Sequence, residues 1–337
     1  MNAVFKIDQV GPFVSVQDKG RIGYMRYGVT EAGPMDRLSH AMANFVIGNP
    51  ETGPAIEISL GGLTLTCVEG EVTACVAGGC FEINLDGQEL APWSMFTISV
   101  GSKLRIRTGV WGSWAYLAFA GQLNAQSWLG SQSTHMGSGL CGASFTQGDI
   151  IKIEDPKVLE NASGPFYDPE CLKPSRDMHI VMGPQDRYFT DKSKTSLLLT
   201  EYELTSEYNR MGVRLKGAKL EINQALDMPS EPIARGSLQV PGHGDPICLL
   251  ADHQTTGGYP KIATVISRDQ DRLVQLRTGN KLRFVEVTPM RAVEMARQRK
   301  VEIDVMKAEI EANRVGFLQK LWSSNLISGV VGPNQPD

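Results

Sequence analysis

The stretch Asp252-His253-Gln254-Thr255-Thr256-Gly257-Gly258-Tyr259-Pro260-Lys261 gathers carboxylate, imidazole, amide, hydroxyl, phenol and ammonium groups around two glycines and a proline. Such a set suits a small polar ligand. Hydroxyl, phenol and ammonium donors steady an oxygen as it becomes anionic, and glycines let a ligand reach the backbone. Lys261 offers a point charge for a developing oxyanion, and Tyr259, Thr256 and Asp252 join it as catalytic candidates. Gln254, Thr255, Gly257 and Gly258 are candidates for holding the substrate. Arg210 and Arg214 add planar forks for a carboxylate or phosphate, although a lone arginine is more commonly part of a structural salt bridge. The competing reading of 252–261 is an ordinary polar hairpin loop.

A second polar loop, Gly130-Ser131-Gln132-Ser133-Thr134 followed by Gly137-Ser138-Gly139, can cradle an anion on successive N–H groups and hydroxyls. A flexible turn before a strand at 149–153 explains the same residues. Gln17, Asp18 and Arg21 are expected to brace the first half of the chain. The five histidines are dispersed without ligand spacing, so no metal site is expected. Neither a Walker A loop, a Gly-x-Ser-x-Gly elbow nor a dinucleotide fingerprint is present.

Several function classes are disfavoured by composition. Lys+Arg 33 against Asp+Glu 37 gives a net charge of −4 with the signs interspersed, which argues against nucleic acid or an anionic membrane as partner. The six cysteines form no Cys-x-x-Cys, and most lie in apolar runs as small hydrophobes. Residues 1–13 are too polar for a signal peptide, and the chain reads as cytoplasmic.

The elements that must position these groups are mostly short strands. Apolar runs at 246–250 and 262–266 flank the 252–261 loop, and further strand runs fall at 55–60, 63–68, 71–77 and 81–85. Asp86-Gly87 is a two-residue hairpin signal. Leu38, Ala41, Met42, Phe45 and Val46 recur at helical spacing, with Pro34 and Asp36 in the first turn and Gly48-Asn49-Pro50 at the end. Val293, Ala296, Ile303, Met306, Ile310, Phe317 and Leu321 mark a C-terminal amphipathic helix, expected to pack within the chain, and a frayed tail at 332–337.

Two faint internal matches suggest related halves. Arg21-Ile22-Gly23 recurs as Arg210-Met211-Gly212, and Gly101-Ser102-Lys103-Leu104-Arg105-Ile106 recurs as Gly279-Asn280-Lys281-Leu282-Arg283-Phe284. Prolines and glycines at 155–173 mark the boundary. The expected units are 1–160, 174–288 and a helical extension at 289–324.

In order along the chain stand Gln17-Asp18-Lys19-Gly20-Arg21, Ala32-Gly33-Pro34-Met35-Asp36, Asn44 with Gly48-Asn49-Pro50, and Leu129-Gly130-Ser131-Gln132-Ser133-Thr134. Asn209-Arg210-Met211-Gly212-Val213-Arg214-Leu215-Lys216-Gly217 and Gly236-Ser237-Leu238-Gln239-Val240-Pro241 follow. The ordered set resembles the biotin-dependent carboxyltransferase family, also called the allophanate hydrolase subunit 2 family, which includes the C-type subunit of 5-oxoprolinase and the Kip anti-kinase protein. The resemblance runs from about residue 10 to about residue 290. It implies a mainly β protein with some α, in which two cyclophilin-like β-barrel subdomains stand in tandem before the C-terminal helix. It also tips Gly130, Ser131, Ser133 and Thr134 toward binding and adds Gln239 to the substrate-binding set. The chain departs from the family pattern at Ala143-Ser144, where many members carry Gly-Arg, and at His253, where an arginine often follows the aspartate.

Three functions follow as expectations from the resemblance. The leading one is the C-type subunit of an ATP-dependent 5-oxoprolinase, which opens 5-oxoproline to glutamate together with A-like and B-like (Kip inhibitor-like) subunits; ATP is then bound by this chain or elsewhere in the complex. It suits a chain lacking biotin carboxylase and biotin-carrier segments. The second is a carboxyltransferase component acting with carboxybiotin on urea or a related amide. The third is a non-catalytic regulator of the anti-kinase type. A homo-oligomer is compatible with each. Biotin is not expected on the chain itself, because the acceptor-like Met306-Lys307 sits mid-helix among charged neighbours.

Overall fold

Strands 71–77 and 81–85, separate in the sequence reading, are one strand in the fold. In the computed structural model, which describes residues 2–160, 163–223 and 228–323 with side chains to residue 312, the strand is Glu71–Leu85. Gly78 and Gly79 carry it through a close approach to the facing strand. A Cβ on Gly78 would lie 2.5 Å from the Trp114 carbonyl oxygen, and one on Gly79 2.7 Å from Gly112 Cα. Glu71–Leu85 pairs with Lys103–Phe119, from Ala74 opposite Phe119 to Leu85 opposite Leu104. The hairpin signal holds: Asp86 (φ 53°) and Gly87 (φ 88°) turn Leu85 back onto Gln88.

These two long strands form the spine of an eleven-stranded antiparallel sheet around one apolar core that includes Phe5, Phe81, Trp93 and Tyr116. Its pairing path ends at Gly164–Pro165 and at Gln122–Leu123, which do not pair with each other among the described residues. The proline-rich connection is laid along this first unit, with Gly164 opposite Met95 and the Phe166 ring packed at a tilt on Trp93, centroids 5.5 Å apart. Helix α1, Arg37–Val46, covers the sheet through Leu38, Met42 and Val46. It begins at Arg37, after both Pro34 and Asp36, which the sequence reading placed in its first turn. Asp36 is its N-cap, accepting from the Ser39 N–H at 3.0 Å.

The second unit closes into a barrel of seven strands. Asp177–Met182 is followed around the barrel by Lys261–Val265, Ser237–Gln239, Ile247–Leu249, Gly212–Lys216, Glu201–Tyr208 and Lys281–Glu286, which returns parallel to the first. Helices α2 (Asp191–Leu199) and α3 (Ser267–Leu273) accompany it. Gly101 (φ 88°) and Gly279 (φ 84°) each turn the chain into a strand, Lys103–Phe119 and Lys281–Glu286, so this internal match marks equivalent turns in the two units.

Helix α4, Pro289–Ser323, carries the chain back to the first unit. Met306 and Ile310 enter the first core with Ile303 beside them, and Lys307 pairs with Glu51 at 2.6 Å. Met295 is buried where the sequence spacing favoured Val293 and Ala296, both of which face solvent. The side chains of Phe317 and Leu321, and the tail at 332–337, lie outside the described residues. No described helix is long and apolar enough to cross a membrane.

Candidate functional site

The 252–261 segment is not a hairpin loop. The strands before and after it, Ile247–Leu249 and Lys261–Val265, both pair antiparallel with Ser237–Gln239, which lies between them. They are therefore parallel to each other, and the segment crosses over the central strand. Its Thr256–Gly257 pairs with Glu231–Pro232, and the Ile233 N–H donates to the Thr255 carbonyl at 3.1 Å. The crossing is close. A Cβ on Gly257 would sit 2.7 Å from Ile233 Cδ1 and 2.8 Å from Gln239 Nε2, and one on Gly258 3.4 Å from the Met228 carbonyl oxygen.

Beneath and beside this crossover lies a cleft of about 520 Å³, within the size range of small-molecule sites. Gln239, Gln254, Tyr259 and Arg214 line it, along with Tyr208 and Met211 of the barrel and Phe13 of the first unit. Arg214 donates from Nε to Glu207 at 2.8 Å and also contacts His243. Lys261 stands opposite Gln239 in the strand register, with a bulge between this pair and the next. Both side chains are buried, and among the described residues Gln239 Nε2 and Lys261 Nζ are buried donors without a hydrogen-bond partner. Burial pushes the Lys261 ammonium below the ordinary lysine range, and Glu231 partly offsets this. Gln185 links the two, accepting from the Lys261 N–H at 2.9 Å and donating from Nε2 to Glu231. Thr256 faces solvent on the outer side of the crossover.

Arg210 and Asp252 are placed elsewhere, in the seam between the two units. Arg210 donates from Nε and Nη2 to Asp252 at 3.0 and 2.8 Å, from Nη1 to Glu57, and from Nη2 to the Gly33 carbonyl at 2.7 Å. Burial works against its charge, but Asp252 and Glu57 outweigh burial and hold the guanidinium protonated. Burial pushes the Glu57 carboxyl up despite Arg210, and Glu57 also accepts from the Met35 N–H at 2.7 Å and the Tyr116 hydroxyl at 2.8 Å. His253 is buried beside the pair, and burial lowers its imidazole below the usual range.

Ser131, Ser133 and Thr134 lie in the first unit, turned inward. The Asp18 carboxylate accepts from the Ser131 hydroxyl at 2.5 Å, the Ser133 hydroxyl at 2.6 Å and the Gln132 N–H at 2.7 Å. Gln17 donates to the Thr134 carbonyl at 3.0 Å, and Arg21 reaches the Ser133 carbonyl and Cys141 Sγ. These bonds brace the loop against the N-terminal segment. Thr134 Oγ1 donates to the Cys141 carbonyl at 3.2 Å, and Gly130 (φ 73°) supplies the left-handed turn.

The model of the family described as carboxyltransferase domain, subdomain A and B, matches residues 27–286. The chain belongs to that family. The C-type subunit of 5-oxoprolinase from Haemophilus influenzae is 34% identical over 302 residues, 88% of this chain and 96% of that protein. Urea amidolyase of Lachancea kluyveri is 28% identical over 353 residues, 96% of this chain but only 19% of its own length. The crystal structure of the K. lactis urea amidolyase aligns at TM-score 0.79 and 26% identity over 90% of this chain and 20% of that one. The chain thus spans about a fifth of those two longer proteins.

Within this carboxyltransferase-family fold, several contributors escape sequence reasoning. Gln185 and Glu231 sit in unremarkable polar runs that the chain brings to Lys261 only through barrel closure. Phe13 reaches the cleft from the other unit. Glu57 alone carried a signal. It is a charged residue in Ala55–Ile58, where every position is buried, and such a charge demands a buried partner.

Proposed function

We propose that this chain is the C-type subunit of an ATP-dependent 5-oxoprolinase, presenting the lactam of 5-oxoproline for opening to glutamate. The observation that carries the reading is the pair of unpartnered buried donors, Gln239 Nε2 and Lys261 Nζ, on opposed residues beside the cleft. A buried donor without an acceptor is costly unless a ligand supplies one. A lactam oxygen that gains negative charge would take both, and donors prearranged for that oxygen favour the transition state over the ground state. Among the described residues Arg214 is the cation lining the cleft, which makes it the candidate for the substrate carboxylate. Gln254 and Tyr259 orient the ring. Arg210 and Asp252 act through the seam, holding the root of the crossover, where the Asp252 N–H also donates to the Arg210 carbonyl at 2.9 Å.

In such a complex ATP would supply the phosphoryl group that activates the lactam oxygen, and water would open the ring with release of ADP and phosphate. Among the described residues the cleft lining carries one cation, Arg214, which suits a single carboxylate but not a triphosphate, so ATP recognition falls to the A-like and B-like partners. The identity to the C-type 5-oxoprolinase subunit over nearly that protein's full length supports the same reading. Carboxyl transfer from carboxybiotin to urea or a related amide is the second reading. It draws on the family description and on the urea amidolyase likeness, and it calls for the same donors on an amide oxygen.

Reconstitution with the two partner types, 5-oxoproline and ATP tests the proposal. Glutamate release should vanish without this chain and fall about 10²–10³-fold in kcat for Lys261→Ala. An assembled complex that releases no glutamate sinks it. Turnover of an amide that then depends on a biotinylated carrier would favour carboxyl transfer, and partner binding without either turnover would favour a regulator.

A further inference from the structure

We propose that the outward face of α4 is a self-association surface on which a second copy of this chain lies antiparallel, across a two-fold axis through Val301. A surface helix needs one apolar stripe, and α4 has two. Met295, Met306 and Ile310 are buried on the inward side. Met290, Val293, Val301 and Val305 are 75%, 50%, 55% and 51% exposed. At about 100° per residue they fall within an arc of about 120° on the opposite side. Ala308 and Ala312, both exposed, continue that stripe.

The pattern along the stripe is complementary to itself. In an antiparallel pair centred on Val301, each residue meets the one equally far on the other side of the centre. Met290 then meets Ala312 and Val293 lies beside Ala308, so large side chains fall on small ones. Arg297 lies within one residue's rise of Asp304 in the second copy, with its alkyl stem against Val305. The ion pairs of α4 use Arg291, Glu294, Arg299, Glu302 and Lys307; Arg297 and Asp304, both within the stripe, have none among the described residues. A parallel pairing would set Arg297 on Arg297 and Asp304 on Asp304. The antiparallel arrangement alone satisfies both charges, and it is the isologous contact of a two-fold dimer.

Sedimentation velocity of the full chain over a concentration series should show a reversible dimer, converted to monomer by Val301→Glu. Arg297→Asp and Asp304→Arg should each weaken the dimer by about fivefold or more, and the double exchange should restore it. The substituted positions are exposed, so an unchanged melting temperature verifies that each variant folds. A monomer at every concentration overturns the proposal, as does a dimer indifferent to the charge exchanges. If Val301→Glu instead blocks assembly with an A-like or B-like partner, the face serves another protein and the proposal is likewise overturned.

Discussion

Gln239 and Lys261 are opposed across adjacent strands, and among the described residues each keeps a buried donor without a partner. Lys261 was legible in the sequence as a lone cation closing a polar segment between apolar runs. Gln239 stood out only through the resemblance. Their pairing was not legible, because it arises from a register with a bulge between Leu238 and Gln239. Gly257 shows how tightly the crossover constrains this pair. A methyl group at Gly257 would collide with Ile233 and with the Gln239 amide nitrogen. Gly257→Ala should therefore displace the Gln239 amide and lower kcat for glutamate release by at least about tenfold, as removal of a positioned donor does. Its melting temperature should stay close to wild type. Unchanged turnover in a folded variant would show that the amide does not serve the reaction.

At the scale of elements, α1 illustrates a helix whose existence, but not whose docking, was readable. Its apolar spacing was plain in the sequence, whereas the capping role of Asp36 and the fate of His40 were not. His40 is buried edge-on against Tyr116, with Nε2 at 3.1 Å from the Gln17 carbonyl, and burial pushes its pKa down to about 4. The unfolded chain binds a proton there near pH 6.5, so the folded state binds fewer protons between pH 6.5 and 4. The stability contributed by neutral His40 is complete above pH 6.5 and is lost as pH falls toward 4. Asp36 opposes this. Burial and then Asp271 raise its carboxyl to about 6, which favours folding as pH falls through 6. Chemical denaturation from pH 7 to 4 should show wild type losing stability more steeply than His40→Gln. Parallel profiles would refute the assignment. The C-terminal helix carries a related lesson. Periodicity announced it and put Met306 and Ile310 on its inward stripe, but only the fold shows that Met295 is buried there in place of Val293 and Ala296.

For the whole molecule, Arg210 among Glu57, Asp252 and the Gly33 carbonyl is one of several buried links across the seam, beside Gln275 on Trp114 and Arg235 on the Met35 carbonyl. Removing the cation leaves two buried carboxylates facing each other, a change that costs about 3–5 kcal/mol in comparable buried networks. Arg210→Met should lower the urea midpoint accordingly and open the seam to hydrogen exchange around residues 33–36 and 252. A loss below about 1 kcal/mol would place the strength of the seam elsewhere.

The sequence by itself determined what is local or periodic. It set a mainly β chain, the Asp86-Gly87 hairpin, the first helix, the C-terminal helix, and the family through ordered short motifs. Those signals depend on backbone preferences and on side-chain spacing within a few residues. Tertiary structure alone decided which distant residues meet. It made the 252–261 segment a crossover between two parallel strands, sent Arg210 and Asp252 to the seam and Ser131 and Ser133 to Asp18, and brought Gln185, Glu231 and Phe13 to the site. The reason is physical. Charged and amide side chains have no periodicity of their own, and their roles follow from strand order and register, which emerge only when the barrel closes.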